Sequence, residues 1–150
     1  MLAHPRVIGY LTQGLNHEMS AVQQYLTQAS LCELWGMPGE AENFRKEAEE
    51  ELVHAGRLIQ RMLVLGVAPN ASQLAAVRPG RGLAEMLALD RQLEMAAVRL
   101  YHDAALYCAR FGDEESALLF EALMRDEEAH LGELDRALAA LHDMEQRHVY

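Results

Sequence analysis

Basic residues are scarce in this chain: 13 lysines and arginines stand against 23 aspartates and glutamates, a formal charge of −10 over 150 residues. Phosphate backbones are gripped by clustered Lys and Arg, and no such cluster occurs, so nucleic acid is a poor partner. Cysteine is scarcer still. Cys32 and Cys108 form no CxxC pair and are too few for a disulfide scaffold, which points to a reducing cytoplasm and to two buried thiols acting as small apolar residues. No stretch reaches the ~18 uninterrupted apolar residues of a membrane span. The beginning, Met1-Leu2-Ala3-His4-Pro5, lacks a basic segment followed by an apolar run, so a soluble, unprocessed protein with no membrane partner is expected. What is present, 51% hydrophobic and 24% charged residues, suits one folded domain with a substantial core.

Helical periodicity covers nearly the whole chain. After Pro5, which suits a first helical turn, Ile8, Leu11, Leu15, Glu18, Val22, Tyr25, Ala29 and Cys32 recur at steps of three and four and share one stripe. Gly36-Met37-Pro38-Gly39 reads as a tight reversal, after which Phe44, Ala48, Glu51, Ala55, Leu58, Met62 and Leu65 repeat the spacing. Val67 to Gly82, with Pro69, Pro79, Gly80 and Gly82, has no comparable period and forms one long connection. A third stripe runs Leu83, Leu87, Asp90, Glu94, Ala97, Tyr101, Ala104 and Cys108. Beyond Gly112, Asp113 and Glu114 place negative charge at the start of a fourth helix carried by Phe120, Met124, Glu127, Leu131, Leu134 and Leu141.

The sequence also repeats itself. At an offset of 76, Leu11, Glu18, Tyr25 and Cys32 meet Leu87, Glu94, Tyr101 and Cys108; beyond the turn, Phe44, Glu51 and His54 meet Phe120, Glu127 and His130. There are 16 identities in 74 compared positions, where this composition yields roughly six by chance. The expected architecture is all-α: one domain over 1–150, built by duplication of roughly 1–72 and 77–148. Its four antiparallel helices are related by a pseudo-two-fold axis, with a long crossover between the second and third.

Four acids stand on the wrong face. Glu18, Glu51, Glu94 and Glu127 occupy stripe positions among Leu, Val and Ala, where an unpaired carboxylate loses solvation worth several kcal/mol and four together repel. No Lys or Arg shares the inner stripes near them, but His54 and His130 stand three residues after Glu51 and Glu127, on the same helical face. A lone Glu-x-x-His is a common accident, and Glu145 to His148 is one here. The other two copies each have an acid 33 residues earlier, Glu18 and Glu94, whereas the same step from Glu145 lands on Gly112. Four carboxylates carrying −4 balance two divalent cations if the imidazoles are neutral. Mixed oxygen and nitrogen donors without thiolate suit iron first and manganese second, rather than a closed zinc site.

This ligand pattern resembles that of ferritin-like di-iron proteins. Glu18, Tyr25, Trp35, the Glu51-Leu52-Val53-His54-Ala55 run, Leu65-Gly66-Val67-Ala68-Pro69-Asn70, Glu94 and Asp126-Glu127-Glu128-Ala129-His130 narrow the resemblance to bacterioferritins, over nearly the whole chain. The resemblance implies cytoplasmic iron storage and detoxification. Fe²⁺ is oxidised by O₂ or H₂O₂ at an intrasubunit ferroxidase centre of two irons per subunit, and ferric mineral collects in a 24-mer cage. A ferredoxin-type reductant for iron release fits that scheme. By position, Glu51 and Glu127 would bridge the irons, Glu18 with His54 would complete one and Glu94 with His130 the other. Tyr25 and Tyr101, seven residues after Glu18 and Glu94, either hydrogen-bond a carboxylate or supply an electron, or are simple core aromatics. Asp90 and Asp126 are candidates to hold the imidazoles.

The chain departs from the family pattern at three places. The family's haem-ligating methionine follows the Glu of the first Glu-x-x-His, and here that residue is Leu52, which cannot ligate iron. A homo-oligomer should therefore lack bis-methionine haem b, unless this chain assembles with a haem-binding sister subunit. The family's inner-surface His and Asp are Lys46 and Glu50. The tail His148-Val149-Tyr150 leaves little room for a short C-terminal fifth helix. The competing enzymatic reading is a cageless di-iron or di-manganese peroxidase or catalase-like oxidoreductase; the non-enzymatic one is an acidic scaffold with vestigial ligands.

Overall fold

The computed structural model describes residues 4–147, so Met1-Leu2-Ala3 and the tail His148-Val149-Tyr150, with the histidine of the third Glu-x-x-His, lie outside the described residues. Four helices follow in order: α1 Pro5–Leu34, α2 Pro38–Val64, α3 Leu83–Arg110 and α4 Glu114–Arg147. Pro5 and Pro38 each open a helix, where a missing N–H costs nothing. Pro38 and Gly39 thus belong to α2 and not to the reversal, which needs only Gly36 at φ 74°. Gly112, its mate at the 76-residue offset, turns the chain into α4 at φ 77°. There Asp113 caps the helix, accepting from the Ser116 N–H at 3.1 Å. α4 runs unbroken to Arg147, so no fifth helix follows among the described residues.

α1 packs closely along α2 and α3 along α4, while α1 faces α3 more lightly and α2 faces α4 more lightly still. The connection from α2 to α3 is irregular from 65 to 82, two residues longer than its composition suggests. Three polar residues spaced four apart fasten it along α1. Asn16 Oδ1 accepts from the Gln73 N–H at 2.7 Å, Ser20 Oγ from that of Ala75 at 2.9 Å, and Gln24 Oε1 from that of Arg78 at 2.9 Å. A segment without its own ladder thereby satisfies its backbone.

The core is divided. One apolar cluster includes Val7, Leu11, Leu15, Leu58, Met62, Tyr101 and Phe120; a second includes Tyr25, Cys32, Ala41, Phe44, Met86 and Leu87. The stripe residues Leu131, Leu134 and Leu141 are only partly buried, Leu134 and Leu141 packing at the margin of the second cluster. Between the two clusters lies a polar layer.

Candidate metal centre

Each helix contributes to that layer from mid-length: Glu18 from α1, Glu51 and His54 from α2, Glu94 from α3, Glu127 and His130 from α4. All four glutamates are at most 1% exposed, and no lysine or arginine is among the buried polar residues. The six side chains fall into two overlapping groups, Glu18-Glu51-His54-Glu127 and Glu51-Glu94-Glu127-His130. Within each, one donor atom per residue lies within 4.8 Å of the others.

Glu51 and Glu127 belong to both groups, and their oxygens divide. His54 Nδ1 is 2.8 Å from Glu127 Oε1, 3.7 Å from Glu51 Oε2 and 3.6 Å from Glu18 Oε1. His130 Nδ1 is 3.4 Å from Glu127 Oε2, 3.4 Å from Glu51 Oε1 and 3.9 Å from Glu94 Oε2. Each shared carboxylate turns one oxygen to each imidazole, while Glu18 faces only His54 and Glu94 only His130.

Within the six, the one aligned hydrogen bond is His130 Nδ1 to Glu127 Oε2 at 3.4 Å. Glu18 Oε2, Glu51 Oε1, His54 Nδ1, Glu94 Oε2 and Glu127 Oε1 are buried with no aligned hydrogen-bond partner. Buried polar atoms are rarely left so, and five at one place aim at a common occupant. The donor set, carboxylate oxygens with one imidazole nitrogen per position, fits a pair of divalent iron or manganese ions. Without metal, protons substitute for cations. Burial alone would lower both imidazole pKa values, but the Glu127, Glu18 and Glu51 carboxylates raise His54 to about 12, and Glu127 and Glu51 raise His130 to about 12. Burial first, then the neighbouring Glu51 carboxylate, pushes Glu18 up to about 8.

The surrounding shell fixes orientations. The Tyr25 hydroxyl donates to Glu94 Oε1 and the Tyr101 hydroxyl to Glu18 Oε1, each crossing between α1 and α3. Of the open readings for these tyrosines, hydrogen bonding to a carboxylate is the one the geometry supplies. His54 Nε2 meets Asp126 Oδ2 at 2.9 Å, the role anticipated for Asp126. Asp90 is different. Its Oδ1 accepts from Gln28 Nε2 at 2.6 Å, and the outer nitrogen of His130 pairs instead with Glu50. The expectation for Asp90 is thus corrected: it sits on α3, across from Gln28 of α1, whereas Glu50 lies on α2 beside His130. The repeat carried the signal, since Glu50 and Asp126 are offset by 76 and an acid replaces an acid; only a search restricted to identities overlooks it. Glu50, His54, Asp126 and His130 line one cleft of about 360 Å³ between α2 and α4, which face one another only lightly. Leu52, half exposed on α2, offers no sulfur.

The ferritin-like domain family model matches residues 8–144. A bacterioferritin of Rhodobacter capsulatus is 37% identical over 139 residues, covering 93% of this chain and 86% of the relative. One from Streptomyces coelicolor is 36% identical over 139 residues, covering 92% and 83%. The solved Rhodobacter capsulatus bacterioferritin, with a metal-free dinuclear site and its haem iron in a crystallographic special position, superposes with a TM-score of 0.91 at 38% identity, covering 96% of this chain and 89% of that one. A match through nearly all four helices to relatives that themselves span little more than this chain places it in the bacterioferritin family of ferritin-like proteins.

Proposed function

We propose that this chain stores and detoxifies iron as a ferroxidase, taking Fe²⁺ as substrate at the centre formed by Glu18, Glu51, His54, Glu94, Glu127 and His130. The observation that carries the reading is the division of the Glu51 and Glu127 oxygens between the two imidazoles, a geometry for holding two ions side by side. Two Fe²⁺ so placed surrender two electrons together, enough to take O₂ with two protons to H₂O₂, or H₂O₂ with two protons to two waters. Manganese fits the same donors.

The protein's own groups prepare that event. Glu18 and Glu94 each keep one oxygen occupied by a tyrosine hydroxyl and the other free. Asp126 and Glu50 hold the outer imidazole nitrogens, so that Nδ1 of each ring faces inward. Entry of Fe²⁺ would displace the protons held by the imidazoles and Glu18, and the α2–α4 cleft is a way out for them to solvent.

The family supports a cage assembly, which we take as a cytoplasmic 24-mer collecting ferric mineral, with a ferredoxin-type reductant for release. The 76-residue repeat supports reading 1–150 as one duplicated domain. No helix among the described residues is long and apolar enough to cross a membrane. Leu52 supports a homo-oligomer free of bis-methionine haem b, leaving a haem-binding sister subunit as the route by which haem would join.

Stopped-flow oxidation of Fe²⁺ tests the centre. Glu127→Ala should abolish the fast phase while circular dichroism and native mass stay unchanged. A fast phase that survives in both Glu127→Ala and Glu51→Ala overturns the assignment. Native mass separately distinguishes a cage from a small peroxidase-like oligomer.

A further inference from the structure

Two polar rungs join α1 to α3 on the His130 half of the centre. The Tyr25 hydroxyl donates to Glu94; one turn further along α1, Gln28 Nε2 donates at 2.6 Å to Oδ1 of Asp90, one turn before Glu94 on α3. Gln28 and Asp90 are both 0% exposed. Each keeps one oxygen that is buried without a partner, Gln28 Oε1 and Asp90 Oδ2. Such orphans are costly, and these two belong to groups already in contact. Two acceptors cannot satisfy each other, but one proton can satisfy both, because a carboxylic acid donates as well as accepts. Donation from Oδ2 to Oε1 closes a ring with the existing bond and removes a negative charge from the interior.

The surroundings favour that proton. Asp90 stands at the wall of an acidic cavity of about 360 Å³, bordered by Tyr25 from α1, by Glu40, Lys46, Glu47 and Glu50 from α2, and by His130 and Glu133 from α4. Four other carboxylates thus face Lys46, the chain's only lysine, and an imidazole whose outer nitrogen is already paired with Glu50. Burial pushes the Asp90 carboxyl up to about 7; the Gln28 N–H pulls it down and the Glu47 carboxylate adds to the rise.

The repeat provides a built-in control. At the 76-residue offset the Tyr25–Glu94 rung becomes Tyr101–Glu18, whereas Gln28 and Asp90 become Ala104 and Gly14, and Glu47 becomes Leu123, all three buried. The His54 half closes this step of the α1–α3 seam with uncharged surface. A neutral acid–amide ring is the polar equivalent of that closure; a carboxylate is not.

We propose that Asp90 is held as a neutral carboxylic acid, doubly hydrogen-bonded to Gln28, and that this ring is a positioning rung which keeps Tyr25 on Glu94. The ring stands with or without metal; its effect on the centre through Glu94 rests on the preceding reading.

Infrared difference spectra of the metal-free protein against Asp90→Asn test the proton. At pH 5 the unaltered chain should show the carbonyl band of a protonated carboxylic acid that the variant lacks, and at pH 9 that difference should vanish. An amide at position 90 keeps both bonds of the ring at every pH. Asp90 holds its proton more tightly folded than unfolded, so its contribution to stability is lost as pH rises. The melting temperature of Asp90→Asn relative to the unaltered chain should therefore climb by ~10 °C between about pH 4 and pH 7 and level off above. No acid band at pH 5, or a gap that does not change with pH, overturns the neutral acid. For the positioning role, Zn²⁺ dialysis at pH 6 should find one of two centre ions held ~10–100-fold more weakly in Asp90→Ala and restored in Asp90→Asn. Unchanged binding in Asp90→Ala overturns that role. An unaltered protein that takes up no Zn²⁺ at the centre tells against the ferroxidase reading and removes the positioning role with it, while the infrared and melting results decide the ring on their own.

Discussion

The two halves of the centre share a ligand pattern, a tyrosine on the terminal glutamate and an acid on the outer imidazole nitrogen, and differ in what packs beyond them. On the Glu18–His54 side, Tyr101 is fully buried, its ring tilted by 30° against Phe120 with centroids 5.9 Å apart and its edge close to Gly14. On the Glu94–His130 side, Tyr25 borders the acidic cavity, and after burial itself the nearest cause raising its pKa is the Asp90 carboxylate. Behind the tyrosine, one half is closed by hydrocarbon while the other opens onto charge; both imidazoles border the α2–α4 cleft. The 76-residue repeat thus keeps what two cations would require of the helices, namely two shared carboxylates, two terminal ones and two imidazoles. It leaves the neighbouring positions free to differ, glycine against aspartate and leucine against glutamate. The ligands answer to electrostatics that both halves face alike, whereas their surroundings answer only to local packing and to access.

Breaking the shared part should have the largest effect. Glu127→Ala removes an oxygen from both positions, so fast Fe²⁺ oxidation should fall at least ~100-fold, in keeping with loss of charge-assisted ligation at a reacting centre. Glu94→Ala removes a ligand from the His130 position alone. Zn²⁺ dialysis should then show one tight centre ion retained rather than none; equal losses in the two variants would mean that Glu127 does not bridge. The next effect is outward by one step. Asp126→Asn and Glu50→Gln should each weaken metal binding by ~10–100-fold, in keeping with groups that orient a ligating imidazole. If the halves are equivalent at this level, the two variants match. If the acidic cavity matters, Glu50→Gln is the more damaging.

Acid–base behaviour sharpens the comparison between metal-free and metal-loaded protein. His54 and His130 are raised in the metal-free fold to about 12 from 6.5, and Glu18 to about 8 from 4.5. In each case the folded chain holds a proton that the unfolded chain has given up, so stability falls as pH rises. The Glu18 contribution is lost between about 4.5 and 8, and that of the histidines from about 6.5 upward. Each tenfold gain in proton affinity on folding is worth about 1.4 kcal/mol, or ~3–6 °C in a chain of this size. Melting temperature of the metal-free protein should therefore drop by ~10 °C or more from pH 5 to pH 9, and Zn²⁺ should flatten the profile by replacing those protons. A metal-free profile that rises over this range would mean that the imidazoles are not clasped by the glutamates.

Much of this is legible in the amino acids because burying acids without cations is so costly that few explanations survive. Glu18, Glu51, Glu94 and Glu127 on apolar stripes, with His54 and His130 one turn on, suffice to locate the centre. The four helices are equally plain, since their stripes rarely miss a step. Legibility fails where no periodic signal exists. Asn16, Ser20 and Gln24 look like ordinary polar surface until the crossover lies against them. Asp90 reads as an imidazole partner because it shares a stripe with Glu94, but sharing a stripe fixes a face and not a neighbour, and Gln28 of another helix claims it. Glu50, one residue from a ligand in an acid-rich run, looks like solvated surface; only the open packing of α2 against α4 shows what it touches.

The smallest expected effect probes the sealed half directly. A Cβ at Gly14 would stand 3.2 Å from Tyr101 Cε1 and 3.3 Å from Leu58 Cδ1, whereas one at Gly9 would meet nothing within 4 Å. Both positions are helical, where Ala is intrinsically better than Gly by up to ~1 kcal/mol. Gly9→Ala should therefore stabilise by about that amount. At Gly14 the neighbours must yield by a few tenths of an ångström, and Tyr101 is held at one end by Glu18 and flanked by Phe120. Overpacking of this kind costs ~1–3 kcal/mol, enough to reverse the sign, so Gly14→Ala should lower the melting temperature while Gly9→Ala raises it. Pairing Gly14→Ala with Tyr101→Phe frees the ring from its carboxylate and should recover part of the loss. Were Gly14→Ala instead to stabilise as Gly9→Ala does, the Tyr101 ring would have room to move, and the contrast between a sealed and an open half would have to be argued from Asp90 and Glu47 alone.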